Sequence, residues 1–242
     1  MPTTVEYLAI LRREGDAFAD SITTAMSASI ASCEPWVGTD LLWHMIEVHY
    51  SWKFIVQSHL MDPEKYVPRD KPSDDHMLQA YRDGLSELIE VLSTTDASRS
   101  CWTWAGVHDV AWVIRRMAHE TAVHAWDAHC AAGVASQIPP ALASDGIDEF
   151  VHVMLNNVAE GEVPLSGSVH LHCTDVDGEW LIVPSSDGEL HVTREHAKGA
   201  CAIRGTAHEL LMALWRRVPM SAVEVIGDSA VAQQFLLRAA ND

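Results

Sequence analysis

The run Arg115-Arg116-Met117-Ala118-His119-Glu120-Thr121-Ala122-Val123-His124 places a glutamate and two histidines where they can do metal chemistry. The pattern is HExxxH, one residue longer than the HExxH helix in which two histidines share a zinc ion. That residue changes the geometry. Each helical step rotates by about 100°, so Glu120 and His124, four apart, point about 40° from each other. His119 and His124, five apart, diverge by about 140° and cannot easily share an ion. The usable pair is Glu120 with His124, and the zinc-protease reading fails. A third ligand must come from a neighbouring helix. His44 and His49 are the candidates, also five apart and so on different faces. His44, among Leu41, Leu42 and Met45, is expected to point inward. Two imidazoles and one carboxylate suit zinc, and also iron, nickel or manganese. Three protein ligands leave a position open for a thiol or water to bind and lose its proton. The competing reading makes His44 a hydrogen-bonded core histidine and Glu120 a buried partner of Arg115 or Arg116.

The elements that must position these residues are helical up to about residue 133. Leu8, Ile10, Leu11, Phe18, Ile22 and Met26 recur at the helical period over 5–29. Glu34-Pro35 and Gly38 break the pattern. Thr39 or Asp40 is expected to cap a second helix over 41–60. Pro63, Pro68 and Pro72 mark an irregular connection before a third helix over 74–92. A polar stretch, STTDASRS, leads to a fourth helix over 109–132, stopped at Gly133. Four such helices predict a bundle.

After Pro139-Pro140 a further helix is expected over 144–158. Then come short alternating runs, SVHLHCT (168–174), EWLIVPS (179–185) and ELHVTR (189–194). Asp177-Gly178 and Asp187-Gly188 are hairpin-turn signals between them. A short strand around Ala202 and Ile203, a helix over 207–217, a strand over 222–226 and a helix over 230–239 complete an α+β region of about 100 residues. Val169, Leu171 and Cys173 share one strand face, with His170 and His172 on the other. No nearby acid or cysteine completes a second metal site there, and none is expected. The domains are assigned to 1–140 and 141–242, with the boundary between 133 and 167.

The 242 residues are 48 % hydrophobic and 21 % charged, as in globular proteins with a real core. A net charge of -18 repels nucleic-acid phosphates and anionic membranes, so neither is expected as a partner. The N-terminus does not read as a signal peptide, and no apolar run reaches the ~20 residues of a membrane helix. Cys33, Cys101, Cys130, Cys173 and Cys201 are dispersed and contain no CxxC pair, which predicts cytoplasmic, mostly buried thiols.

The run RRMAHETAVHAWD (115–127) is similar to the fourth-helix signature of the mycothiol-dependent maleylpyruvate isomerase family, within the DinB-like superfamily of four-helix bundles. DLLWH (40–44), followed by Val48-His49, resembles the family's second-helix motif, and LASDGIDE (142–149) the stretch after its bundle. GEWLIVP, HELLMALWRR and VIGDSAVAQQFL resemble its smaller, sterol-carrier-like α+β domain. The resemblance covers nearly the whole chain. It implies an α plus α+β fold, a DinB-like four-helix bundle followed by the small α+β domain. It places the metal ligands on His44, Glu120 and His124. It implies zinc as the metal, and mycothiol, a low-molecular-weight thiol, as cofactor. It also implies a functional arginine in the segment matching LWRR. Arg216 and Arg217 both lie there, and Arg217 holds the usual place, as a catalytic and cofactor-binding residue for a carboxylate or cofactor oxygen. A family arginine after the second helix has Arg69 and Arg82 as candidates.

The expected function is a metal- and mycothiol-dependent enzyme. A metal-activated thiolate adds to a small electrophilic substrate, as a maleylpyruvate-type cis-trans isomerase or a thiol S-transferase. Two alternatives stand beside it: a metal-dependent hydrolase on the same bundle, and a non-catalytic small-ligand-binding protein. His119, His49 and Asp127 are candidates to support the ligands, Asp127 by orienting a histidine. Trp43, Trp52, Trp112 and Trp126 are expected in the core or cleft wall.

Overall fold

The computed structural model describes residues 2–155, 165–186 and 188–238. A helical N-terminal region precedes a region built on a five-stranded sheet, and the chain divides into compact units at 137/138.

The N-terminal unit is a bundle of α1 (Thr4–Ala25), α2 (Gly38–Gln57), α3 (Asp74–Thr94) and α4 (Val110–Ala131). Thr3 and Glu6 exchange hydrogen bonds across the start of α1, satisfying amide groups that the first turn leaves open. The α1–α2 connection contains the cis peptide Glu34-Pro35. α2 begins earlier than the sequence predicts, at Gly38. A Cβ at Gly38 would lie 2.1 Å from the Ala25 carbonyl oxygen, so only glycine lets the two backbones approach so closely. Asp40 acts inside the first turn and accepts from the Val37 amide at 3.0 Å; it is not the residue before the helix. Asp109 caps α4 by accepting from the Trp112 amide at 2.9 Å, and Gly133, at φ 71°, ends the helix.

Each helix turns an apolar stripe inward: Leu11, Phe18 and Ile22 from α1, Leu41, Leu42 and Met45 from α2, Tyr81, Leu85 and Leu88 from α3, Val113, Ile114 and Met117 from α4. Burying each such side chain stabilises by about 1.5–3 kcal/mol. α1 packs most extensively on α4, and α2 on α3. The stretch before α4, expected only as a polar connection, contains a hairpin of β1 (Ser100–Thr103) and β2 (Gly106–Asp109). Gly106 turns it at φ 109°, a left-handed conformation that glycine adopts without strain.

The C-terminal unit opens with α5 (Pro140–Glu149), which widens into a π-turn over Phe150–Met154. It starts four residues before the expected helix, with Pro140 in the first turn, where a missing amide hydrogen costs nothing. Val158, the expected end, lies outside the described residues, as do Asp187 of the second turn signal and Ala239 of the last helix. The sheet contains β3 (Val169–Cys173), β4 (Glu179–Pro184), β5 (Leu190–Thr193), β6 (Cys201–Gly205) and β7 (Glu224–Gly227), in the order β5-β4-β3-β6-β7. β3 and β6 run parallel; the other pairs are antiparallel. α6 (Ala207–Leu214) and α7 (Ser229–Arg238) contact β3 and β6. Val169, Leu171 and Cys173 form the buried face expected of β3. No described helix is long and apolar enough to cross a membrane.

Candidate metal centre

Glu120 and His124 stand one turn apart on α4, and α2 brings His44 to them. Glu120 Oε1 lies 3.3 Å from His44 Nε2 and 3.3 Å from His124 Nε2. One ligand atom from each of the three residues falls within 4.8 Å of the others. Metal–ligand bonds of 2.0–2.2 Å in tetrahedral geometry separate bound atoms by about 3.4 Å, so small side-chain shifts suffice to enclose an ion. The donor set of two imidazoles and one carboxylate fits zinc and its first-row neighbours.

The surroundings hold these groups in place. Asp127, one turn beyond His124, has Oδ2 2.9 Å from His124 Nδ1. Its other oxygen accepts from Ser32 Oγ at 2.6 Å. The carboxylate thus keeps the His124 proton on Nδ1 and leaves Nε2 to face the cluster. Arg116, one turn before Glu120, donates to Glu120 Oε2. The core-partner reading of Glu120 is therefore realised through Arg116, on the oxygen that does not face the histidines. Burial would raise the Glu120 carboxyl. The Arg116 guanidinium, then the hydrogen bonds with His124 and His44, outweigh it and hold the group well below its ordinary range. Burial likewise disfavours a charged His124, but Asp127 and Glu120 push it up to about 9. A cation held by this imidazole would compete with its proton.

A family model for the mycothiol maleylpyruvate isomerase N-terminal domain matches residues 8–129, half of the chain, and its C-terminal counterpart matches residues 141–234. The chain belongs to the mycothiol-dependent maleylpyruvate isomerase family. The crystal structure of the mycothiol-dependent maleylpyruvate isomerase is similar in fold, with a TM-score of 0.62 at 11% identity over 93% of each chain. A histidine-to-alanine mutant of that isomerase gives 0.60 at 12% identity, again over 93% of each. Comparison with curated proteins found no match.

Within this maleylpyruvate isomerase-like bundle the other sequence candidates take separate places. His44 is not fully inward. Its side chain remains 31% exposed at the flank of the α2 stripe, while His49 is the buried histidine of that helix. His49 Nε2 lies 3.3 Å from Thr121 Oγ1, and its Nδ1 has no partner among the described residues. Burial lowers His49 to about 3, so it stays neutral. His119 is buried edge-on against Tyr7, outside the cluster. Trp52 and Trp112 pack 5.8 Å apart, and His108 of the hairpin stacks on Trp112 at 4.8 Å. Trp126 donates to the Ser136 carbonyl, and Trp43 packs against the core. Arg82 pairs with Asp20, and Arg69 lies over the Tyr50 ring. The sequence reading missed Ser32 and also Trp36, whose ring lies 5.2 Å from that of His44. Both belong to the Ser-Cys-Glu-Pro-Trp loop, and only a fold reveals what that loop faces.

The LWRR segment (214–217) ends α6. Arg216 adopts φ 56°, and the amides of Arg216 and Arg217 donate to the Ala213 and Met212 carbonyls. This closes the helix in a Schellman turn. Arg217 follows the turn, donates to the Trp215 carbonyl at 2.8 Å and lies over the Trp215 ring.

Proposed function

We propose that this chain is a metal-dependent enzyme that uses mycothiol and acts on a small electrophilic substrate, as a maleylpyruvate-type cis-trans isomerase or a thiol S-transferase. One observation carries the reading: His44 and His124, from two helices, bring their Nε2 atoms to the same oxygen of Glu120, at 3.3 Å each. Family membership supplies the rest, since its similar structures are mycothiol-dependent isomerases. When bound, a divalent metal, zinc by family and ligand set, would supply the positive charge that makes a thiol a thiolate at neutral pH.

The chain's own residues then have defined tasks. His44, Glu120 and His124 hold the ion. Asp127 retains the proton on His124 Nδ1 and fixes the ring. Arg116 balances the charge of Glu120 and orients its carboxylate. To Arg217 we assign an anionic oxygen of substrate or cofactor, which its planar guanidinium can grip with two parallel bonds. Isomerisation returns the thiol after each turnover; S-transfer consumes it.

The test is an assay of zinc-loaded protein with maleylpyruvate and mycothiol. Turnover that needs mycothiol but exceeds its amount supports the isomerase. One product per mycothiol, seen with an activated acceptor, supports the transferase. Equal rates without mycothiol overturn the thiol mechanism. His44→Ala and His124→Ala should each lose one zinc per chain, and unchanged stoichiometry overturns the ligand assignment. Arg217→Lys should recover only part of the activity that Arg217→Ala loses.

A further inference from the structure

The C-terminal unit gathers a second set of ligating side chains. β3 and β4 pair with His172 opposite Glu179 and His170 opposite Leu181. Residues two apart on a strand share a face, so His170 and His172 stand side by side with Glu179 next to them. The chain leaves β5 at Thr193 and returns His196 to the same place. Glu179 Oε2 lies 2.9 Å from His170 Nε2 and 2.6 Å from His196 Nδ1, and Oε1 lies 3.3 Å from His172 Nδ1. One ligand atom from each of the four residues falls within 4.8 Å of the rest. The acid missing from the sequence reading is thus Glu179. It lies seven residues beyond His172, but the strand pairing puts it directly opposite.

The three rings do not stack. His170 and His172 meet at 89°, His170 and His196 at 90°, and His172 and His196 at 76°, with centroids 5.8, 5.4 and 6.2 Å apart. Three imidazoles bound to one tetrahedral ion radiate from a point in this way, with centroids about 5.3 Å apart. His170 is buried, whereas His172, Glu179 and His196 line an open cleft of about 650 Å³ that offers an entry path. Three nitrogens and one oxygen exclude magnesium and calcium, which take oxygen ligands.

We propose that His170, His172, Glu179 and His196 bind one divalent transition-metal ion of the zinc class, fastening the segment after β5 to the β3–β4 face. Four protein ligands close the coordination sphere, so the ion is structural.

Zinc counted by elemental analysis and calorimetric titration of the full chain tests this. The expected wild-type value is two per chain. His196→Ala and His172→Gln should each bind one fewer; the His196 side chain is 79% exposed, so its loss leaves the core untouched. The His44→Ala/His124→Ala variant should keep one zinc, and with cobalt in its place should keep the visible absorption of a four-coordinate site. That absorption should vanish when His196→Ala is added. A wild-type count of one, retained in His44→Ala/His124→Ala and lost with His196→Ala, supports this site and overturns the bundle site instead. No metal in His44→Ala/His124→Ala, or an unchanged count in His196→Ala and His172→Gln, overturns the proposal. The four residues are then a histidine–carboxylate hydrogen-bond network.

Discussion

Asp127 Oδ2 lies 2.9 Å from His124 Nδ1, and Asp127 is buried. Replacing it with asparagine keeps the shape but removes the charge that fixes the imidazole. Asp127→Asn should weaken zinc binding at the bundle site by roughly 10–100-fold, as losses behind a metal histidine do. Competition with a chelating dye measures it; an unchanged affinity would mean that Asp127 only packs.

Arg116 carries the buried positive charge beside Glu120. Arg116→Met leaves that carboxylate without its guanidinium. The metal-free protein should lose about 3 kcal/mol, the scale for breaking a buried ion pair. Zinc restores a positive partner, so the loss in urea unfolding should shrink when the protein is loaded. Equal losses with and without zinc would contradict this role.

His49 sets an acid limit. Burial lowers it from 6.5 to about 3. Between those values the unfolded chain binds a proton here and the folded chain does not. The stability it contributes is complete above pH 6.5 and is lost as pH falls towards 3, by up to about 1.4 kcal/mol per pH unit. Urea unfolding of metal-free protein should show this slope, and His49→Gln should flatten it. Parallel pH curves for the two proteins would refute the assignment.

Gly38 lets the start of α2 pass the end of α1. In Gly38→Ala the new methyl meets the Ala25 carbonyl, so a backbone must move. A loss of about 1–3 kcal/mol is expected, the range for overpacking. His44 sits less than two turns along α2, so zinc affinity should fall as well. Chemical denaturation and metal titration of the same sample check both.

The helical period of α1 to α3 and the alternation of β4 were readable because one face of each is buried and burial imposes the period, whereas α4 and β3, buried on more than one side, were legible from their length and flanking breakers. The β1–β2 hairpin was not, since four-residue strands around Gly106 leave too little alternation to stand out. The convergence of Glu120 with His124 follows from spacing within one helix. His44 needed the family's motif, because spacing says nothing about which helix lies opposite. Asp127 could be placed near His124 by counting, but Ser32, 95 positions away, could not. Glu179 sits just across the Asp177-Gly178 turn, but only the exact register of β3 on β4 puts it opposite His172. His196 comes to the same place only through the return of the chain after β5.

The four helices associate as two pairs, α1 with α4 and α2 with α3, and the bundle ligands are divided between them. His44 belongs to one pair, Glu120 and His124 to the other. An ion held by all three would act as a bolt across the seam between the two pairs. Amide exchange in α2 and α4 around the three ligands should then slow after loading, and unchanged exchange there would count against the bolt.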